Sequence, residues 1–348
     1  MTRITHLRVQ HVRTHSQRSV DVSPDVTLIT GQNGSGKTSL IEAVYIALQG
    51  SSFKGGDSEI LQYEQPWYRI DLTFDDKTVR TIKFDSERTA GRKQFDIDGK
   101  RNYRLTYQHK YPVVLFEPED LRLLNGSPSR RRQFIDRFIS QIDPQYGVAL
   151  RRYERALKQR NSLLKVMTTT NDDLFAWNVS LSEYGAAIVS RRQYFIDQLQ
   201  GKLPATYRSI SQTDDNVVVR YSTHYSGAIQ QRLLSELYSH TERDKLLGFT
   251  SIGPHRHDVL FEFNGNPAMT VASRGEVRTI VLALKFLEVE IIESLANKQP
   301  IILLDDVFSE LDESRQKSLI AEFKQYQIIV ASVNAFPIHG VTVDMSSE

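Results

Sequence analysis

Two stretches near opposite ends of the chain carry residue types that handle phosphate. Residues 31–38 read GQNGSGKT and fit the pattern G-x-x-x-x-G-K-[ST] at every fixed position. Residues 301–304 are an apolar run, and Asp305 and Asp306 follow it directly. A buried strand that delivers a carboxylate to a magnesium–nucleotide complex has this pattern. Together the two stretches predict an ATP-hydrolysing site built from both chain ends.

The glycine-rich stretch predicts a cradle for the phosphates of ATP. Its backbone N–H groups and the N-terminus of the following helix would face phosphate oxygens. Lys37 would reach the β- and γ-phosphates, and the Thr38 hydroxyl would bind Mg²⁺. The residues expected at the nucleotide are Gly31, Asn33, Gly34, Ser35, Gly36, Lys37, Thr38 and Ser39.

The two aspartates have different expected roles. Asp305 ends the strand at the edge where α/β folds place their ligands, so it would hold Mg²⁺ through water. Asp306 would point the other way and polarise the attacking water as a general base. The expected catalytic residues are therefore Asp306 and Lys37, and the expected metal ligands are Thr38 and Asp305.

A third segment, Ser273-Arg274-Gly275-Glu276, precedes a strong apolar helical stripe. Ser-x-x-Glu in this place is a capping box, which explains both residues without a ligand. A capped helix N-terminus also attracts anions. We therefore expect Ser273, Arg274 and Gly275 to contact the γ-phosphate bound by a second copy of the chain.

His255 and His257 are two residues apart, but no third ligand is evident, so no metal site is predicted there.

Composition favours a globular, cytoplasmic protein. The chain has 348 residues, 25% of them charged, and no cysteine, which excludes disulfides and thiol chemistry. No apolar run approaches the roughly 20 residues of a membrane helix, so no membrane partner is expected.

The net charge of +2 is unevenly distributed. Residues 121–210 hold 15 Lys and Arg against 7 Asp and Glu, which leaves the rest of the chain acidic. This asymmetry predicts a DNA-binding surface in the middle of the chain. A solvated basic face is the alternative, and Arg132 could pair with Asp136. The expected DNA-contacting residues are Arg130, Arg131, Arg132, Arg151, Arg155 and Lys158.

Hydrophobic periodicity places these residues on elements. Strands are expected within 3–30, an antiparallel meander over 68–104, helices over 119–213, strands at 217–221 and 259–263, and a helix from 277. A strand at 301–304, a helix near 313–325 and a strand at 328–331 follow. The predicted fold is an α/β, ABC-type ATPase head formed by residues 1–118 and 214–348. Residues 119–213 form an inserted, mainly helical arm.

These motifs resemble the RecF family of ABC-type, SMC-like ATPases of DNA recombination and repair. FEPEDL at 116–121, GSP at 126–128 with the arginines after it, LKQRN at 157–161 and GPHR at 253–256 are family-like. So is DDVFSELD at 305–312, whose last four residues match the ABC D-loop. These segments are more specific than a P-loop, and the resemblance runs nearly end to end.

The resemblance implies an ATP-dependent homodimer on double-stranded or gapped DNA and slow, DNA-stimulated ATP hydrolysis. It also implies recruitment of a RecR-type mediator so that the recombinase RecA can load. Arg13 is retained from the family's N-terminal motif and is expected near the nucleotide. Glu276 departs from the glutamine of many relatives, Gln108 is a weak candidate for the Q-loop, and no switch residue is assigned.

Three other protein classes compete with this interpretation. One is another SMC or Rad50-like head, although the insert lacks a long heptad-bearing coiled coil. Another is a transporter ATPase subunit, which the meander and the basic arm disfavour. The last is a nucleotide-gated adaptor with negligible turnover.

Overall fold

The computed structural model describes residues 3–88, 91–296, 298–310, 313–335 and 339–345. The strands are β1 (Ile4–Val12), β2 (His15–Asp21), β3 (Val26–Thr30), β4 (Trp67–Phe74), β5 (Val79–Asp85), β6 (Gln94–Ile97), β7 (Lys100–Asn102), β8 (Val113–Phe116), β9 (Val217–Ser222), β10 (Asp258–Phe263), β11 (Asn266–Pro267), β12 (Ile301–Asp305), β13 (Ile328–Ser332) and β14 (Gly340–Asp344). The α-helices are α1 (Lys37–Gln49), α2 (Pro128–Ile142), α3 (Pro144–Leu163), α4 (Asn171–Ser211), α5 (Ile229–Ser239), α6 (Thr241–Leu247), α7 (Ala268–Val271), α8 (Arg274–Ala296) and α9 (Glu313–Glu322).

The chain divides into two compact units. Unit 1 combines Met1–Asp120 with Glu288–Glu348, and unit 2 is Leu121–Leu287. Unit 2 therefore continues well beyond the expected end of the arm at residue 213. The reason is local packing, because β9 pairs with β10 and also packs on α4.

A parallel sheet in unit 1 brings the two phosphate-handling stretches together. Its strand order is β14-β3-β13-β12-β8, and every pair in it is parallel. The apolar runs of β12 and β13 are buried throughout, as expected for strands covered on both faces. The loop before α1 follows β3, and Asp305 ends β12, so both lie at the carboxyl edge of the sheet.

The second sheet of unit 1 has the order β2-β1-β4-β5-β6-β7 and is antiparallel. It confirms the meander predicted over 68–104, since β4 alternates half-buried and buried residues along its length. Asp98 and Gly99 both have positive φ, 52° and 74°, as a type I′ hairpin requires. Apolar residues of this sheet, of α1 and of the parallel sheet share one hydrophobic core.

Unit 2 is mainly helical and has a small sheet of its own. Its longest helix, α4, has 41 residues and packs against α3, α5 and β9. The sheet order is β11-β10-β9. Helices α5 and α6 were not foreseen from the sequence, nor was β14 in unit 1. Among the described residues, no helix is both long and apolar enough to cross a membrane.

Candidate nucleotide-binding site

The loop between β3 and α1 has the backbone geometry of a phosphate cradle. Gly31, Gly34 and Gly36 have φ values of 154°, 85° and 92°, a region that side-chain-bearing residues rarely adopt. Lys37 begins α1 and is only 4% exposed. Its ammonium donates to the carbonyls of Gly31 (2.8 Å) and Gln32 (3.0 Å), so the charge is held over the loop.

Thr38 and Asp305 bring the two predicted motifs into one site. The Thr38 hydroxyl donates to Asp305 Oδ1 at 2.7 Å, although 267 residues separate the two in sequence. Lys54 lies on the other side, with its Nζ 3.6 Å from Asp305 Oδ2. Burial raises the pKa of Asp305, while the Thr38 hydrogen bond and the Lys54 charge oppose that rise. Sequence reasoning missed Lys54, because a single cation in the segment SSFKGG carries no motif.

Asp306 leaves the strand in a strained conformation. Its φ is 53°, in the left-handed region, and its N–H donates to the Ala331 carbonyl at 3.0 Å. The residue is half-buried, whereas Asp305 is only 3% exposed, so the two carboxylates have different environments. The D-loop match begins in the 3₁₀ turn Val307–Glu310, and its residues Leu311 and Asp312 lie outside the described part of the chain.

The turn between β1 and β2 braces the glycine-rich loop. His15 Nε2 donates to the Gly36 carbonyl at 3.0 Å. A Cβ added to Gly36 would lie 2.4 Å from His15 Nε2 and 2.6 Å from Thr14 Oγ1, so the loop approaches the turn as closely as glycine allows. Arg13, expected near the nucleotide, binds the Glu42 carboxylate of α1 through two N–H groups at 2.9 Å each. In this structure it anchors the turn to the helix.

The residues present fit ATP with Mg²⁺. Ser35 Oγ is buried and has no hydrogen-bond partner among the described residues, as expected for a hydroxyl in a loop that receives phosphate oxygens. Thr38 and Asp305 together offer hard oxygen donors, the ligands that Mg²⁺ prefers. The remaining predicted loop residues are Asn33, which is exposed, and Ser39, which is 9% exposed at the start of α1.

The predicted capping box at the start of α8 is confirmed. The backbone N–H of Ser273 donates to Glu276 Oε2 at 2.6 Å, and the N–H of Glu276 faces Ser273 Oγ at 3.3 Å. The Glu276 carboxylate is thus occupied by the helix terminus. Ser273 and Arg274 are exposed, and Gly275 is half-buried. Gln108 lies in the 3₁₀ turn Tyr107–His109 and is exposed.

The expected DNA-contacting arginines separate into two groups. Arg131 is 8% exposed, binds Asp258 through two N–H groups at 2.8 Å each, and also donates to the Gly126 carbonyl at 2.7 Å. Arg132 is half-buried and donates to the His257 carbonyl at 2.8 Å rather than pairing with Asp136. Arg131 and Arg132 therefore join α2 to the β10 region.

The exposed members of the predicted DNA-contacting set lie on α3. Arg151, Arg155 and Lys158 are exposed there and fall on one helical face. Arg130, at the start of α2, is half-buried. The charge count could not separate these two groups because it contains no information on burial.

Comparison with known proteins decides the family. A family model described as RecF/RecN/SMC N terminal domain matches residues 3–343. A protein of Clostridium acetobutylicum named DNA replication and repair protein RecF is 30% identical, over 94% of this chain and 92% of the relative. The chain belongs to the RecF family.

Further relatives and solved structures agree. A RecF of Streptococcus agalactiae serotype V is 34% identical, over 92% of this chain and 89% of the relative. A solved structure described as the recombination mediator protein RecF-ATP in the RecFOR pathway is 27% identical. It has a TM-score of 0.87 and covers 97% of this chain and 94% of its own. An SMC head bound to a domain of ScpA, at 15% identity and a TM-score of 0.52, shares the fold alone. The fold of this RecF-family chain is an ABC-type ATPase head with an insert.

The RecF-like segments of unit 2 hold that unit together. Arg160 is fully buried and donates to Asn178 (2.7 Å), Asp244 (2.7 Å) and Thr250 (2.8 Å). Asn161 accepts the Thr250 N–H at 2.8 Å, so the LKQRN segment is a structural hub. Arg160, one of the cations in the basic middle of the chain, therefore has a structural role.

The GPHR segment is a second place where hydrogen bonds join several elements of unit 2. Arg192 binds the Asp136 carboxylate through two N–H groups at 2.9 Å each and donates to the Pro254 carbonyl at 2.7 Å. A hydrogen bond of 2.7 Å joins His255 Nδ1 to the Tyr153 hydroxyl, and one of 2.8 Å joins His257 Nδ1 to the Tyr221 hydroxyl. Burial lowers the pKa of both histidines to about 4, so they are neutral at pH 7. Within the described residues no cluster of metal-binding side chains is present.

Proposed function

We propose that this chain is a DNA-binding ATP hydrolase that dimerises with ATP. The observation that carries the proposal is the 2.7 Å contact between Thr38 and Asp305, which unites the two nucleotide motifs in one site. The relatives named DNA replication and repair protein and the RecF-ATP structure support both the nucleotide and the DNA partner.

Within one copy, each residue has a distinct task. The N–H groups of the glycine-rich loop and the Lys37 ammonium bind and orient the phosphates. Thr38 and Asp305 would hold Mg²⁺, which would supply charge stabilisation for the transferring phosphoryl group. Asp306 accepts a proton from the attacking water. The Lys54 charge, 3.6 Å from Asp305, partly opposes the rise in the Asp305 pKa that burial causes.

The second copy completes the site. Ser273 and Arg274 are exposed at a capped helix N-terminus, and such a terminus favours an anion. In the proposed dimer this terminus meets the γ-phosphate bound by the partner copy, so ATP links the two heads. From the family resemblance, we keep Arg13 as a residue of the proposed nucleotide site. We keep the D-loop segment as part of the proposed dimer interface.

The exposed face of α3 is the proposed DNA surface. Arg151, Arg155 and Lys158 would meet backbone phosphates without reading sequence. Two α3 helices in a dimer would hold one duplex, so ATP should tighten DNA binding. We do not include Arg131 and Arg132 in this surface, because their guanidinium groups hold α2 in place. By family, we infer that the dimer engages gapped DNA and a RecR-type mediator in recombinase loading.

ATP hydrolysis with and without duplex DNA tests this function. Wild-type protein should hydrolyse ATP slowly and faster with DNA, while Lys37→Ala and Asp306→Asn should remove the DNA-stimulated rate. ATP binding without any turnover would instead identify a nucleotide-gated adaptor.

A salt series tests the DNA surface. Arg155→Glu should weaken duplex binding and lower the slope of log affinity against log salt by about one unit. Arg101→Glu, an exposed cation of unit 1 with the same charge change, is the matched control. Equal slopes for the two variants would place the DNA site away from α3.

A further inference from the structure

Two segments of unit 2 expose large apolar side chains to an unusual degree. Met167, in the turn after α3, is 102% exposed, and Leu246, near the end of α6, is 90% exposed. Val166, Leu247 and Phe249 beside them are also exposed. We call these five residues the apolar patch. None of them belongs to the nucleotide site or to the proposed DNA face.

The two segments lie side by side. The Thr250 N–H donates to Asn161 Oδ1 at 2.8 Å, which ties the chain after α6 to the end of α3. A Cβ added to Gly248 would lie 3.8 Å from Lys165 Cγ, in van der Waals contact. The five side chains therefore belong to one surface rather than being scattered singly, and such surfaces mark interaction sites.

The patch is held in place by hydrogen bonds of its own backbone. Gly248 has a φ of 72°, and its N–H closes α6 on the Asp244 carbonyl at 2.8 Å. On the other side, Val166 N–H and Thr169 Oγ1 both donate to the Leu163 carbonyl, at 2.8 and 2.7 Å. A surface ordered before binding loses little conformational entropy when a partner docks.

Exposed cations flank both segments of the patch. Lys165, Arg243 and Arg256 are exposed, and the Arg256 guanidinium lies 4.7 Å from the centre of the Phe249 ring. The nearby carboxylate of Glu242 is matched by Lys245 at 2.9 Å. An apolar centre with a basic rim is complementary to an apolar stripe flanked by carboxylates.

We propose that the apolar patch docks an acidic amphipathic helix of a partner protein. Met167 and Leu246 insert between the apolar side chains of that helix, and its carboxylates face Lys165, Arg243 and Arg256. A second copy of this chain fits less well, because a symmetric contact would place the basic rim against itself. Duplex DNA would use the rim but would gain nothing from the exposed Met and Leu side chains.

The test uses a labelled model peptide of about 18 residues, long enough to form a helix. Its apolar stripe has Leu at helical spacing, and its other positions are mainly Glu. Fluorescence anisotropy with the full chain should show binding, and Met167→Asp and Leu246→Asp should each weaken it by about tenfold or more. Tyr63→Asp, at a position 86% exposed in unit 1, should bind as wild type does. Thermal melting of each variant checks that the fold is retained.

Several results would overturn the proposal. One is equal binding of a peptide in which every Glu is replaced by Lys. Another is peptide binding that Met167→Asp and Leu246→Asp leave unchanged. A third is a sedimentation coefficient of the isolated chain that falls in both variants, which would make the patch a self-association surface. A fourth is no peptide binding together with a loss of duplex affinity in both variants, which would assign the patch to DNA.

Discussion

At the scale of single residues, Lys37 has the most direct expected effect. Its ammonium is already held over the loop by two carbonyls, so no rearrangement is needed to meet a phosphate. Lys37→Ala removes a charge-assisted contact worth about 1.5–3 kcal/mol, which is roughly ten- to a hundredfold in Kd. Calorimetric titration with ATP and Mg²⁺ measures this, and an unchanged Kd would remove Lys37 from the site.

Asp305 gives a prediction about pH. Burial raises its pKa, so the folded protein without ligands holds the proton more tightly than the unfolded chain does. The free energy of unfolding therefore falls as pH rises from the ordinary aspartate pKa of 3.8 through the raised value. Asn resembles the protonated form and avoids this loss. We expect Asp305→Asn, without ligands, to melt at a higher temperature than wild type at pH 7.

The melting temperatures at low pH are the control for this experiment. Below the ordinary aspartate pKa both side chains are neutral, so the two melting temperatures should converge. Adding ATP and Mg²⁺ at pH 7 should reverse the order, because only the wild type would have the proposed metal ligand. A variant that melts below wild type at pH 7 without ligands would show that the carboxylate stabilises the empty site.

At the scale of elements, α2 and α3 carry arginines with opposite roles. Arg131 joins α2 to β10 through a nearly buried ion pair with Asp258. Breaking such a pair by Arg131→Ala should cost about 3–5 kcal/mol of the free energy of unfolding. Arg155→Ala, on the exposed face of α3, should leave the melting temperature unchanged. Equal melting curves for the two variants would contradict the structural role of Arg131.

The elements also show what sequence reasoning could and could not supply. The glycine-rich loop, the meander and the buried β12 follow from residue spacing, because each has a fixed periodicity or motif. That the segments of Thr38 and Asp305 meet in space was foreseen, because one nucleotide needs both motifs. The burial of Arg131 and Arg160 was not, since their partners Asp258 and Asp244 are distant in sequence. The apolar stripe Ile229, Leu233 and Leu237 of α5 was overlooked, whereas α6, with seven residues, is too short to show a stripe.

At the scale of the whole molecule, the proposed dimer separates ATP binding from assembly. Ser273→Arg should leave the Kd for ATP unchanged, because in the proposed dimer Ser273 contacts the nucleotide of the other copy. It should abolish ATP-dependent dimerisation by placing a long side chain at the shared phosphate. Ala205→Arg, an exposed position of α4, is the matched control. A loss of ATP binding in Ser273→Arg as large as in Lys37→Ala would make the segment part of its own chain's site.

Sedimentation velocity of the Asp306→Asn protein tests the central claim most directly. The substitution keeps the shape of the side chain but removes the proposed proton acceptor, so bound ATP should persist and hold two copies together. We predict a monomer without nucleotide and a dimer with ATP and Mg²⁺. The same sedimentation coefficient in both conditions, at ATP concentrations that saturate binding, would contradict an ATP-gated dimer.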